Sequence, residues 1–211
     1  MHFGELGNLA FLRPNYAKVV ADLCKEQGGL PFLTDCNTLY PGSRKNALEH
    51  LTCAQLNGFW PMTTGCQVLI ADGLRGTDEV EVPVPNGEYC KTAKIGRAIM
   101  DADVFISLTH FKGHESTGFG GALKNIGMGC GSRAGKMEQH AASGKPAVQE
   151  ELCRGCHRCA KECGSDAITY NQQNKAVIDY DKCKGCGRCI GACSFDAVYS
   201  PNECANEELD R

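Results

Sequence analysis

Two copies of one cysteine pattern, C-x2-C-x2-C-x3-C, lie thirty residues apart in a chain of 211 residues, and they constrain its fold more than any other feature. CRGCHRCAKECGSDAITY (153–170) aligns on CKGCGRCIGACSFDAVYS (183–200) with eight identities: four cysteines, Gly155/Gly185, Arg158/Arg188, Asp166/Asp196 and Ala167/Ala197. A repeat this short predicts a pseudo-twofold module around two equivalent sites. Three cysteines two residues apart wrap a tight loop around a [4Fe–4S] cubane. The fourth, three residues on, opens a helix that faces away and ligates the cluster of the other half. The expected ligands are Cys153, Cys156, Cys159 and Cys193 for one cluster, and Cys183, Cys186, Cys189 and Cys163 for the other. Structural zinc sites usually pair two C-x2-C hooks across a longer gap, which these consecutive blocks fit poorly.

The remaining cysteines narrow the setting. Fifteen in all is an odd count, and MHFGELGNLAF at the start lacks the basic head and long apolar core of a signal peptide. A reducing, cytoplasmic environment is therefore expected, not a disulfide framework. Cys24, Cys36, Cys53, Cys66, Cys90 and Cys130 follow no spacing and read as small buried or half-buried thiols, and Cys204 stands alone in the tail. Lys and Arg total 22 against 25 Asp and Glu, so no nucleic-acid partner is expected. No apolar run approaches the roughly 18 residues of a membrane helix. Arg158, Arg188 and His157 sit between the cluster ligands, where they either tune potential, meet an acidic partner or are solvated.

Ahead of the repeat, the pattern is α/β. PNYAKVVADLCKEQ (14–27) and RKNALEHLTCAQLNG (44–58) have helical spacing, with Pro14 opening the first and Gly58 closing the second. LPFLTD (30–35) and QVLIADG (67–73) read as strands, VEVPVP (80–85) as an edge or hairpin strand because of its prolines, TAKIGRAIMDA (92–102) as a helix and DVFISLT (103–109) as a buried strand. Alternating strands and helices predict a parallel or mixed sheet with helices on both faces. The expected organisation is an α/β domain over 1–147, a small α+β domain over 148–202 and a tail over 203–211, with SGKPAVQEE (143–151) as the linker.

Polar chemistry outside the cysteines concentrates in SLTHFKGHESTGFGGALKN (107–125). In open α/β sheets, ligands bind beyond the carboxyl ends of strands. The predicted strands end on Asp35 and Asn37, on Asp72, and on His110, Lys112 and His114. GFGGALKN follows as a Gly-rich turn into a short helix carrying Lys124, and amides at a helix start suit an anion. Lys124 is followed by Asn125, so this is no P-loop, and Leu123 stands where the dinucleotide fingerprint has its third glycine. Three readings stay open: a small-anion or substrate pocket, a metal held by His110 and His114, and a polar loop satisfied by its own backbone.

Residues 153–200 resemble the bacterial two-cluster ferredoxin domain throughout. That family usually has proline after each fourth cysteine; here those positions are Gly164 and Ser194, which bears on hydrogen bonding to the clusters and not on ligation. ISLTHFKGH followed by GFGGALKNIGMGCGSRAGKMEQH, TDCNTLYPGSRKNALEH and the N-terminal HFGELGN are similar to motifs of domain-of-unknown-function family 362, over essentially the whole chain. Members of that family often carry a two-cluster ferredoxin insert. The resemblance further implies a strand before the HFGE-like motif and more α/β chain after the insert, so that His2 and Glu5 join the same rim.

Together these features lead to an expected iron–sulfur oxidoreductase. Two [4Fe–4S] clusters would pass electrons to or from a small anion, with Lys112 and Lys124 neutralising it and His110 or His114 moving a proton. A redox partner protein would exchange electrons with the clusters. The alternative, from a different class, is a non-catalytic iron–sulfur protein that binds a ligand or senses redox state.

Overall fold

A computed structural model describes residues 1–87, 90–114, 118–140 and 145–201. Helix α1 (Pro14–Glu26) opens on proline at its first position and ends just before Gly28, whose φ of +82° turns the chain. Strand β1 (Phe32–Asp35) follows, then α2 (Ala47–Leu56), the short α3 (Pro61–Thr64) and β2 (Gln67–Ile70). β1 and β2 pair in parallel, Phe32 opposite Gln67 through Asp35 opposite Ile70. Helix α2 starts three residues later than its periodicity predicts because Asn46 caps it, accepting from the amides of Leu48 and Glu49 at 3.1 Å each. The small faces of α1 (Ala17, Ala21) and α2 (Ala54) close over Phe3, Leu33, Phe59 and Cys66 as one apolar core.

Two expectations are corrected in the next segment. The prolines of 80–85 do mark a hairpin strand: β3 (Glu79–Pro83) pairs antiparallel with β4 (Thr92–Gly96). Thr92–Gly96 was expected to be helical, and only Arg97–Met100 is, as α4. The strand prevails because Lys94 lies opposite Glu81 and pairs with Glu138, while Gly96 presses on neighbouring chain. A Cβ at Gly96 would lie 2.7 Å from Cys36 Sγ. The strand expected over 103–109 does not form, and Val104, Phe105 and Ile106 are exposed. No described strand lies alongside to take its backbone hydrogen bonds. With Leu30, Phe32 and α1 these side chains line an apolar groove of about 750 Å³. Parallel pairing among the described residues is thus confined to β1 and β2.

The chain then makes a small antiparallel pair, β5 (Gly113–His114) with β6 (Gly118–Phe119), and two helices, α5 (Gly121–Gly127) and α6 (Arg133–His140). GSRAGKMEQH reads as a Gly-rich polar connector, but α6 is almost wholly buried, from Arg133 to His140.

Strand β7 (Ala147–Val148) falls inside the expected linker, which begins in residues outside the description. The repeat follows as α7 (Arg158–Lys161), β8 (Ile168–Tyr170), β9 (Ala176–Ile178), α8 (Arg188–Ala192) and β10 (Val198–Tyr199). β8 pairs with β9 and β10 with β7, both antiparallel, so at the thirty-residue offset each half contributes one strand to each pair. Backbone conformation repeats with the sequence. Left-handed φ values recur at Gly155 and Gly185 (+61°, +69°), His157 and Gly187 (+63°, +66°), and Asp166 and Asp196 (+49°, +54°). The core of this part, built on Ile168, Ile178, Ile190, Val198 and the cysteines, also takes in Leu39 and Met137 from the first part. The expected tail 203–211, with Cys204, lies outside the described residues.

Candidate functional site: a cationic cavity walled by helix α6

A cavity of about 290 Å³ opens beyond the carboxyl end of β1. All four rim residues singled out in the sequence line it: His110, Lys112, His114 and Lys124. His110 and Lys112 are exposed, while His114 and Lys124 are half-buried and in contact, Nε2 to Nζ. Segment 109–112 is not helical and Gly113–His114 is a strand, so His110 and His114 do not share a helix face. Helix α5 spans seven residues, and the charge of the cavity comes from side chains, not from the helix start.

The sequence reading missed most of the opposite wall. Arg44, Tyr40 and Thr38 come from the loop after β1, and Lys136 and His140 from α6; His2, which the family resemblance placed on the rim, lines the cavity from the N-terminus. The cations Arg44, Lys112, Lys124 and Lys136 face Asp35, the carboxylate among the described lining residues. Lys136 and His140 are four apart on a helix, a spacing legible in GKMEQH had the segment not been read as a connector. Each is held in place. Lys136 Nζ donates to the Gly131 carbonyl at 2.5 Å, and Tyr40 Oη meets His140 Nε2 at 2.9 Å with the rings edge to face. Glu5 does not line the cavity. Its carboxylate accepts from Arg44 Nε at 3.1 Å and from the Ser43 amide at 2.9 Å, which positions the guanidinium beside His2. Asn37 and Asp72, expected on the rim, instead tie the ends of β1 and β2 together, both Asn37 nitrogens donating to Asp72 Oδ1 at 2.8–2.9 Å.

Electrostatics follow from burial and crowding of positive charge. His2 is pushed down to about 4 by burial and by the Arg44 guanidinium. His140 is likewise lowered to about 4 by burial, then by Lys124, His114 and Lys136. Both are neutral at pH 7. Burial works against the Asp35 charge, but His50, the N-terminal amine and Lys136 outweigh it and hold the carboxyl well below the usual range. Fixed positive charge in a partly buried cavity favours an anionic ligand.

Helix α6 has two working faces. Lys136 and His140 point to the cavity, whereas Arg133 and Met137 press on the cysteine repeat: a Cβ at Gly187 would lie 2.8 Å from Arg133 Cγ and Cδ and 3.5 Å from Met137 Cγ. The loop after β1 divides in the same way, with Arg44 lining the cavity and Lys45 reaching the repeat, where its Nζ donates to the Cys193 carbonyl at 3.0 Å and pairs with Asp196. Arg75 pairs with Glu162 across the same junction.

On the repeat side, Cys193 lines one small cavity together with Cys153, Cys156 and Cys159. Cys163 packs against the same core as Cys183, and its sulfur accepts from the Ala167 amide at 3.3 Å. Cys153 Sγ accepts from the Ala176 amide at 3.4 Å, and Tyr170 Oη lies 3.3 Å from Cys159 Sγ. Among the described residues no three His, Cys, Asp or Glu side chains converge on a single ion. Thiolates around a cubane bind separate irons and need not converge, and amides aimed at sulfur suit such a group. Ser194, where the ferredoxin family has proline, takes a hydrogen bond from Arg158 Nη1 at 2.8 Å, so Arg158 is not merely solvated. His157 stacks on Tyr170 with centroids 3.8 Å apart.

These features define an α/β protein with a 4Fe–4S segment, and a 4Fe–4S binding domain model matches residues 176–199. The chain belongs to the family described as Domain of unknown function (DUF362), whose model matches residues 1–184. It is also similar to Thylakoid-associated protein sll1697 of Synechocystis sp. (strain ATCC 27184 / PCC 6803 / Kazusa), with 28% identity over 144 residues, 67% of this chain and 40% of that protein. The chain therefore spans well under two thirds of that relative. No helix among the described residues is long and apolar enough to cross a membrane.

Proposed function

We propose that this protein is an iron–sulfur electron-transfer protein acting on a small anionic substrate in the cavity beside α6. The observation that carries the reading is the division of α6, with Lys136 and His140 on the cavity and Arg133 and Met137 on the cysteine loops. One helix thickness of packed side chains separates the two, which suits electron exchange between a bound substrate and the clusters. In this reading residues 1–147 hold the substrate and residues 148–202, a ferredoxin-like unit, hold two [4Fe–4S] clusters. Cys153, Cys156, Cys159 and Cys193 bind one and Cys183, Cys186, Cys189 and Cys163 the other. When bound, the clusters supply one-electron chemistry. Arg44, Lys112, Lys124 and Lys136 bind the anion, and His110 or His114 moves a proton. A separate redox protein delivers or removes electrons at the exposed side of the repeat.

A second reading, a redox sensor, is favoured by the exposure of Cys156, which gives oxidants access to one loop. One experiment separates the two. Anaerobically purified protein should hold about eight irons and eight sulfides; about four irons would overturn the two-cluster assignment. Potentiometric titration with and without saturating inorganic phosphate should show a reversible couple that phosphate lowers, since nearby negative charge disfavours an added electron. Clusters that disassemble on oxidation, with no phosphate effect, would leave the sensor.

A further inference from the structure

The two halves of the cysteine repeat share a backbone but differ at two positions that the structure explains. His157 and Lys161 of the first half correspond, thirty residues on, to Gly187 and Gly191. Conformation does not require the first of these glycines, because His157 holds φ +63° where Gly187 holds +66°. Space does. A Cβ at Gly187 would lie 2.8 Å from Cγ and Cδ of Arg133, and one at Gly191 would lie 3.1 Å from its Nη2. The missing side chains make a seat for one arginine.

Arg133 is fully buried. Its Nη1 donates to the Thr38 carbonyl at 2.9 Å, its Nε to the Arg75 carbonyl at 3.1 Å and its Nη2 to the Lys45 carbonyl. These three acceptors are neutral. The negative groups that act on its charge are Asp72 first, which offsets part of it, then Cys189 and Cys186. The first half has no equivalent: His157 and Lys161 are exposed, where water and salt screen charge. Other cations also reach the repeat. Lys45 Nζ meets the Cys193 carbonyl but is paired with Asp196, and Lys175 donates to the Cys153 carbonyl where its sequence counterpart Lys145 donates to that of Tyr180. None of these lysines is fully buried as Arg133 is.

We propose that Arg133 is a positioning residue that makes the two clusters inequivalent, raising the potential of the one held by Cys183, Cys186, Cys189 and Cys163 above that of the other. Reducing a cluster by one electron adds one negative charge, and a buried, weakly screened guanidinium stabilises that charge. The higher-potential cluster then lies against α6, the wall of the cationic cavity, and is the one that exchanges electrons with a molecule bound there. This inference rests on the two-cluster reading.

The test is a redox titration of the anaerobic, iron-loaded chain followed by electron paramagnetic resonance. The natural chain should show two potentials. In Arg133→Met one of them falls, so that at the poise where that cluster was half-reduced its reduced-to-oxidised ratio drops about tenfold, about 59 mV for one electron. The other potential stays, and Arg133→Lys restores the first. Cys186→Ser should alter the signal of the cluster that moved. Should Arg133→Met hold fewer than about eight irons, Gly187→Ala decides: its Cβ pushes the arginine off the loop, and the same potential falls. Eight irons with no selective shift in these variants, or an equal shift of both potentials, overturns the inference alone. A natural chain holding about four irons overturns the two-cluster reading and this inference with it.

Discussion

Lys136 illustrates how the cavity holds a buried cation: its charge acts on the carboxylates of Asp35 and Asp72 while backbone carbonyls take its donors. The amine is buried, and carbonyls of Gly131 and Gly129 satisfy its donors from one side. Carbonyls solvate a cation but do not neutralise it, and with Arg44, Lys112 and Lys124 it outnumbers Asp35 on the lining, which leaves net positive charge for an anion. Replacing Lys136 with Met, or Lys124 with Ala, should weaken phosphate binding roughly ten- to a hundredfold, the worth of one charge-assisted contact. Isothermal titration would check this, and iron content should not change. His140 offers a pH test. Its folded pKa, about 4, lies below the ordinary 6.5. The unfolded chain therefore binds a proton that the native chain refuses, and stability falls as pH drops from about 6.5 towards 4. The slope from one such group is at most about 1.4 kcal/mol per pH unit. Urea midpoints measured across that window should fall less steeply in His140→Gln than in the natural chain.

At the scale of elements, the repeat is where local sequence and structure agree best. Each loop turns through the same left-handed positions, and each short helix contains its third cysteine and ends before the fourth, which therefore follows a helix and does not open one as expected. Cys193 closes α8 and lines a cavity with the first half's cysteines, not with its own three. In the proposed two-cluster reading, replacing Cys193 with Ser should therefore perturb the cluster assigned to Cys153, Cys156 and Cys159 and leave the one assigned to the 183–189 loop intact. Resonance spectra that changed only for the latter would show that the ligands do not cross. Elements outside the repeat depended on neighbours. Thr92–Gly96 and Arg97–Met100 lie in one run of helical periodicity, yet the first half is a strand because β3 offers it an edge.

For the molecule as a whole, two cores have different chemical foundations. One is aromatic and aliphatic, around Phe3, Leu33 and Phe59; the other relies on Cys153, Cys159, Cys189 and Cys193 among its buried side chains. Cluster binding is then part of the folding free energy of the second core only. Removing iron with a chelator under anaerobic conditions should deprotect the amides of β8, β9 and α8 in hydrogen exchange while α1 and β1 keep theirs. Met137 and Leu39 reach from the first part into the second core, so α6 should show intermediate loss. Equal loss in every element would mean that the two cores unfold as one.

The cysteine repeat was legible in the sequence because its chemistry is local: ligand spacing, turn glycines and the thirty-residue offset are all properties of neighbouring residues. The rim residues His110, Lys112, His114 and Lys124 were legible for the same reason, since they crowd one Gly-rich stretch after an apolar run. The other half of the cavity was not. Arg44, Lys136 and His140 are separated from that rim by up to dozens of residues, and nothing in the polar sequence of α6 signals burial. Burial of Arg133 became affordable only when distant backbone supplied the Thr38, Arg75 and Lys45 carbonyls, whereas Lys136 finds its own close by at Gly129 and Gly131. Gly187 and Gly191 could be read in the chain as departures from the repeat, but their meaning depended on which side chain packs against them. Long-range packing alone, through hydrogen-bond partners and excluded volume that no local pattern encodes, decided that α6 would stand between the cationic cavity and the cysteine loops.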